Sequence, residues 1–213
     1  GYSALGANTT GSNNTALGYN VLSSNTTGTH NIGIGGNDAT NLSTLANNTT
    51  GSSNVAVGMA ALLNNSTASN NTAVGYQSLR ANTTGNENVA FGSGALTANT
   101  TANNNTGIGY NSLTAATTGG GNTAIGEQSA TAVTTGVNHT ILGSASAASL
   151  ITGVGCTLVG HANNVNQSDA DFAMALGYNL SCEEGFTTLG ASASDIRAAH
   201  GTATWAAVSD ERY

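Results

Sequence analysis

Proline is absent from this chain of 213 residues, and so is lysine; the whole positive complement is three arginines. Charged side chains make up 6% of the sequence and aromatic ones 5%. Each shortage excludes something. Ten acids against three arginines give a formal charge of −7, which removes the basic stripe a nucleic-acid binder needs to neutralise phosphates. The same balance disfavours a peripheral contact with anionic lipid. No apolar run approaches the roughly 20 residues of a membrane span. The expectation is therefore no nucleic-acid partner and no membrane insertion. Cys156 and Cys182 have neither disulfide nor metal-ligand spacing and read as small buried apolar residues. Low charge with few large apolar residues ordinarily marks disorder or low complexity.

What is present argues otherwise, because disorder keeps no phase. The stretch Asn71-Thr72-Ala73-Val74-Gly75 recurs at Asn14 to Gly18, Asn54 to Gly58, Asn88 to Gly92, Asn105 to Gly109 and Asn122 to Gly126. Its closing glycine falls at 1, 18, 35, 58, 75, 92, 109, 126, 143, 160 and 177. Every interval is seventeen residues except the twenty-three between Gly35 and Gly58. A fixed period of this size is the signature of a solenoid. The fold class expected is all-β: a β-solenoid, or β-roll, of seventeen-residue coils.

With that glycine as origin, the columns can be read in turn. The residue before it is always apolar, as in Leu17, Ile34, Val57, Val74, Phe91, Ile108, Ile125 and Leu142. Three before it stands a β-branched residue in almost every turn, and between the two sits a small one, mostly alanine. Period-2 alternation over a β-prone run predicts a strand with branched residues on one face. Its Ala/Gly face is expected to approach a neighbouring surface closely. Four residues after the glycine comes a leucine column that includes Leu62, Leu79, Leu96 and Leu113, and in the same part of the repeat Asn-Thr-Thr-Gly stands at Asn8 to Gly11, Asn25 to Gly28, Asn48 to Gly51 and Asn82 to Gly85. Asn and Gly tolerate left-handed backbone, which predicts one tight corner there and one at the origin glycine. A coil should then hold about two short strands and two turns, and eleven coils at ~4.8 Å each should span roughly 50 Å.

The asparagine four before the glycine (Asn14, Asn31, Asn54, Asn71, Asn88, Asn105, Asn122) is expected to stack its amide from coil to coil. That ladder accounts for the many Asn-x-Thr triplets better than glycosylation does, since acceptors need no register. The six extra residues fall in the segment around Asn37, Asp38, Thr40 and Asn41 and should project as a loop, a candidate contact site. The pattern decays after Cys156, and the last interval shrinks to thirteen residues. The organisation expected is regular repeats over 1–160 with the insertion near 37–42, degenerate capping coils over 161–190, and an alanine-rich connector over 191–208. A chain that begins on a repeat glycine without Met reads as a piece of a longer polypeptide.

Two resemblances enter on these residues. The Asn-Thr-Ala-Val-Gly turns resemble the left-handed parallel β-roll heads of trimeric autotransporter adhesins, whose coils are shorter, typically about fourteen residues. The likeness covers about 190 residues and implies left-handed coils. Ser209-Asp210-Glu211-Arg212-Tyr213 resembles the opening of the intramolecular chaperone domain found at the C-terminus of phage tail fibres, tailspikes and endosialidases. In that family the domain drives trimerisation and cuts itself off at the Ser-Asp bond, using that Ser and a Lys. Ser209, Asp210 and Arg212 match; the Lys would be the next residue. The resemblance implies that 209–213 starts such a domain, that Ser209 and Asp210 flank a one-time self-cleavage, and that the fibre is a homotrimer. Trimerisation also has a physical motive, because a thin coil is expected to enclose too few apolar side chains to bury much surface. Packing three rolls around an axis through the Ala/Gly or Leu columns would supply the missing burial.

No constellation for turnover emerges. His30, His139, His161 and His200 are scattered and read as surface or ladder residues. Glu183-Glu184 and Asp169-x-Asp171 read as solvated loop acids, and Gly119-Gly120-Gly121 lacks the Lys of a phosphate loop. No metal and no cofactor is expected. The leading expectation is an extracellular, receptor-binding trimeric fibre of a phage or phage-like tail that touches a host cell-surface glycan or protein. A bacterial surface adhesin head is the near alternative, and a structural spacer with binding elsewhere in its parent is another. The paired threonines (Thr9-Thr10, Thr26-Thr27, Thr49-Thr50, Thr83-Thr84) suggest an ice-binding ladder as a different class.

Overall fold

A computed structural model describes residues 1–36, 42–192 and 194–201, together with the backbone of 206–207. Among these residues there is no helix. Nine three-residue strands follow one another: β1 (Thr15–Leu17), β2 (Ile32–Ile34), β3 (Val55–Val57), β4 (Thr72–Val74), β5 (Val89–Phe91), β6 (Thr106–Ile108), β7 (Thr123–Ile125), β8 (Thr140–Leu142) and β9 (Thr157–Val159). Each pairs in parallel with the next, at a seventeen-residue offset everywhere except across the insertion, so Thr72 faces Val89 and Val89 faces Thr106. The six-residue insertion leaves the register intact, with Ile32 opposite Val55. The chain is a parallel β-solenoid.

Each regular coil holds one strand, not the two expected from the column pattern. The remaining backbone still bonds from coil to coil: Leu79 N–H donates to the Ala95 carbonyl at 3.0 Å, Thr83 N–H to Thr100 at 2.9 Å and Gly92 N–H to Val74 at 2.8 Å. Left-handed residues interrupt that path too often for a second strand to form. They do not stand where Asn-Thr-Thr-Gly suggested, since Asn25, Asn48 and Asn82 and the glycines 28, 51 and 85 have no such φ. They stand instead just before the asparagine column (Asn70 φ 62°, Asn104 φ 61°) and, unexpectedly, at the leucines (Leu62 φ 50°, Leu96 φ 53°, Leu113 φ 51°). A left-handed leucine costs about 1–2 kcal/mol, and fully burying its side chain returns about 1.5–3 kcal/mol. The burial wins. The corner at the origin glycine is as expected: Gly75 has φ +132°, and an added Cβ would lie 2.6 Å from the Gly92 backbone.

The alanine column turns inward and the branched columns turn out. Ala56, Ala73, Ala90 and Ala124 are fully buried beside Leu62, Leu79, Leu96 and Leu113. A Cβ on Gly107 would lie 3.2 Å from Leu96 Cγ, so the small strand residue faces the leucine of the preceding coil. Volume is conserved along this interior. Where the leucine column falls to Ala130 and Ala147, the strand column rises to Ile141 and Leu158, all four fully buried. A close-packed interior demands such an exchange. Both columns are thus filled within the chain, and neither is free to line a trimer axis.

The expectation of insufficient burial is also corrected. The accessible surface is 9033 Å², close to the roughly 9000 Å² that the size scaling assigns to a compact 20.9 kDa monomer. Small residues let the coils pack with little waste. What distinguishes this surface is where its apolar part lies.

Beyond β9 the stack continues. The short pair β10 (Asn164–Val165) and β12 (Ser181–Cys182) is parallel. Strand β11 (Met174–Tyr178) pairs in parallel with β9 and with β13 (Phe186–Ala191), the latter at the shortened thirteen-residue offset. The chain then reverses: β14 (Ser194–Ala199), within the stretch read as a connector, runs antiparallel to β13, and β15 (Ala206–Ala207) runs antiparallel to β14. Arg197 lies over the Phe186 ring at 5.7 Å and bonds to Glu183, tying the hairpin to the last coil. The reversal covers the edge that a parallel stack leaves open.

Candidate functional site

The asparagine column forms the expected ladder, and its geometry explains the residue. The N–H of Asn71, Asn88, Asn105 and Asn122 donates to Oδ1 of the preceding rung at 3.0, 2.9, 3.0 and 2.9 Å. Nδ2 of Asn71, Asn88 and Asn105 donates forward to the carbonyls of Gly85, Ala102 and Gly119 at 2.9, 2.9 and 2.8 Å. One short side chain must accept at one atom and donate at the other while remaining uncharged in a buried position. Only a primary amide does so at this length. Asn14 starts the column, with its Nδ2 on the Gly28 carbonyl and its Oδ1 under Asn31.

A second asparagine ladder was not foreseen. Asn25, Asn48, Asn65, Asn82 and Asn99 are fully buried, and each donates to Oδ1 of the asparagine one coil before, at 2.8 to 3.0 Å. Each also donates to the carbonyl three residues on, at 2.9 to 3.2 Å. Asn25, Asn48 and Asn82 are the asparagines of Asn-Thr-Thr-Gly, and Asn65 and Asn99 hold the same phase in Asn-Ser-Thr-Ala and Asn-Thr-Thr-Ala. The signal was their fixed phase, which a left-handed corner would not have required. At Ala116, Val133 and Leu150 the column turns apolar and remains buried.

The outer face of the sheet carries the apolar residues. Leu17 (62% exposed), Phe91 (54%) and Leu176 (54%) lie along it with Ile34, Ile125, Ile32 and Met174, and Val57, Val74 and Ile108 are half-buried between them. Tyr2, Tyr19, Tyr76, Tyr110 and Tyr178 follow the origin glycines at its margin, all exposed. Tyr2 stacks on Tyr19, and His161 on Tyr178. The residues named from the sequence thus separate: Leu79, Leu96 and Leu113 are interior, whereas Val57, Val74, Ile108 and Ile125 belong to this outer face. An apolar face running along the stack is the kind of patch that marks a contact surface.

A threonine edge lies elsewhere on the coil. Thr10, Thr27, Thr50, Thr67, Thr84, Thr101, Thr118, Thr135 and Thr152 occupy one column of nine successive coils, all exposed. The hydroxyl residue before each but the last, threonine or Ser66, is spent on the fold: Thr26 Oγ1 donates to the Thr49 carbonyl at 3.0 Å, Ser66 Oγ to Thr83 at 3.1 Å and Thr83 Oγ1 to Thr100 at 3.0 Å. Only one of the two threonine ranks is therefore presented outward.

Asn37, Asp38, Thr40 and Asn41 of the insertion, and Ser209 and Asp210 of the terminal motif, lie outside the described residues. Cys156 and Cys182 are buried free thiols. Burial pushes the Cys156 thiol up, and burial with Cys156 alongside pushes Cys182 up to about 12. Among the described residues no three His, Cys, Asp or Glu side chains gather as a metal cage, and no helix is long and apolar enough to cross a membrane. Comparison with family models, with curated proteins and with solved structures finds no match.

Proposed function

We propose that this chain is a segment of a homotrimeric adhesive fibre, a rigid rod that presents three equivalent sets of contacts to a cell-surface glycan or protein. The observation that carries the proposal is the outer sheet face. Leu17, Ile34, Phe91, Ile125 and Leu176 expose an apolar stripe along the stack, and three copies meeting on it would remove it from water. The axis then runs along the branched columns, with the tyrosines at its rim. The phage-type tail fibre is the form favoured, because Ser209 to Tyr213 resembles the start of a trimerising chaperone domain directly after the repeats. On this reading weak single contacts add through a fixed spacing, and a rod with two rigid asparagine ladders serves as the spacer that makes multivalency effective.

The test joins assembly to binding. The labelled rod is applied to a panel of bacterial envelopes, beside a variant carrying Phe91→Asp and Ile125→Asp, which places charges on the stripe without entering the interior. The proposal expects the parent to bind and the variant to be monomeric and at least about a hundredfold weaker through lost avidity. A monomeric variant that binds as tightly as the parent contradicts it. The threonine edge favours one other reading, an ice-binding face. That reading requires thermal hysteresis from the rod; none is expected here, because the inner threonine rank is turned to the backbone of the next coil.

A further inference from the structure

The asparagine ladder contains one rung that is not an amide. His139 stands in the ladder column, 1% exposed, with its N–H donating to Asn122 Oδ1 at 3.0 Å. Its own Nδ1 lies 3.1 Å from the Cys156 backbone nitrogen. A backbone N–H can only donate, so Nδ1 must keep its lone pair and the ring must be the neutral Nε2–H tautomer. Nε2 is sealed from solvent without a well-formed hydrogen bond, the Gly153 carbonyl being the backbone group beside it. The ring fills the place of an amide, yet it has a property no amide rung shares. It titrates.

The surroundings set the direction. The charged group that acts on the ring is Asp171, whose carboxylate accepts the Val154 N–H at 2.7 Å and favours the protonated form. Cys156 packs on the next coil with its thiol donating to the Ala170 carbonyl at 3.1 Å; Asp171 and Glu184 act on that thiol, and Cys156 in turn acts on Cys182. Burial outweighs Asp171 and holds the ring below its ordinary value of 6.5. The rung also sits at a boundary. Amide rungs run from Asn14 to Asn122 before it; after it come a weak thiol donor at Cys156 and then Ala173, which makes no rung.

We propose that His139 is an acid-sensitive rung: uptake of a proton on Nδ1 withdraws the acceptor of the Cys156 amide and loosens the coils beyond residue 139, while the amide-held coils before it stay closed. The proton comes from solvent and adds to the Nδ1 lone pair, and no covalent bond changes. Two donors then face each other in a buried site that also holds a new charge, an arrangement that opening relieves. The fold favours the neutral ring, so the stability it contributes is complete above pH 6.5 and is lost as pH falls through the lowered folded value.

Hydrogen exchange on the full chain, read by mass spectrometry at about pH 7 and about pH 5 and corrected for intrinsic rates, tests this. Protection around Cys156 is expected to fall about tenfold more than protection around Asn105, the loss that follows one broken buried hydrogen bond. His139→Asn, which restores the repeat's own rung, should remove the difference. Equal loss at the two coils of the parent overturns the proposal, and so does a pH-dependence that survives His139→Asn. Should that variant not fold, the comparison of the two coils in the parent decides alone.

Discussion

Replacing Asn88 by alanine isolates what one rung of the ladder contributes. Asn88 is fully buried; its Oδ1 accepts the Asn105 N–H at 3.0 Å, and its Nδ2 reaches the Ala102 carbonyl at 2.9 Å and Asn71 Oδ1 at 3.2 Å. The consequences of truncation differ by partner. The Ala102 carbonyl keeps a second donor, Asn99 Nδ2 at 3.2 Å, whereas the Asn105 N–H has no other acceptor among its bonds. One buried donor is therefore orphaned, at about 1–3 kcal/mol, and the lost Nδ2 bonds add about 1 kcal/mol. In a solenoid each coil touches only its neighbours, so the damage should stay local. Hydrogen exchange is the suitable assay, because a whole-molecule melt of a long repeat array need not be two-state. For a loss of about 2 kcal/mol, protection in the coils of Asn88 and Asn105 should drop about thirtyfold, with coils near Asn25 unchanged. Protection at Asn105 that stays within about threefold of the parent would refute the reasoning, since it lies below the smallest orphan cost. A uniform fall over all coils would refute the locality.

The interior exchange is open to a double-mutant cycle: Ile141→Ala should cost about 2–5 kcal/mol and Ala130→Leu about 1–3 kcal/mol from overpacking. Combined, they should recover at least about 1 kcal/mol relative to the sum, and strict additivity would mean that the two sites do not face each other. Gly75→Ala should fail to yield the folded rod, because φ +132° is unsuited to an L side chain and the new Cβ would lie 2.6 Å from Gly92; a soluble variant with parental circular dichroism counters this. Cys182 should resist a thiol reagent at about pH 8 in the native protein and react only on unfolding, since burial and Cys156 push it up to about 12. Rapid native labelling would show that the coil opens there.

How much of this was written in the sequence depended on what each column constrained. Phase alone located the strands: the run before each origin glycine is the strand in nine coils, and at every one but Gly35 the glycine is required both by its φ and by its closeness to the next coil. The Asn14–Asn122 ladder was equally visible, because a polar residue held at one phase needs a partner at the same phase. Direction was not visible. Alternation separates Thr72 and Val74 from Ala73 but does not say which side is enclosed, and alanine went inward only because Leu62 and Leu79 fill the space opposite. The left-handed leucines were hidden for a related reason, as local preference opposes them and burial reverses the balance. The second ladder was concealed by a competing explanation, since Asn before Thr-Thr-Gly fits a turn as readily as a rung. The insertion loop and the Ser209–Asp210 motif remain known from sequence alone.

Light scattering on the purified chain tests the central claim most directly. The exposed stripe from Leu17 to Leu176 predicts a particle of three times 20.9 kDa, stable on dilution and reduced to single chains by Phe91→Asp with Ile125→Asp. A monodisperse 20.9 kDa species at every concentration would contradict the trimeric fibre and leave a self-sufficient roll, whose ordinary surface area already permits it to stand alone.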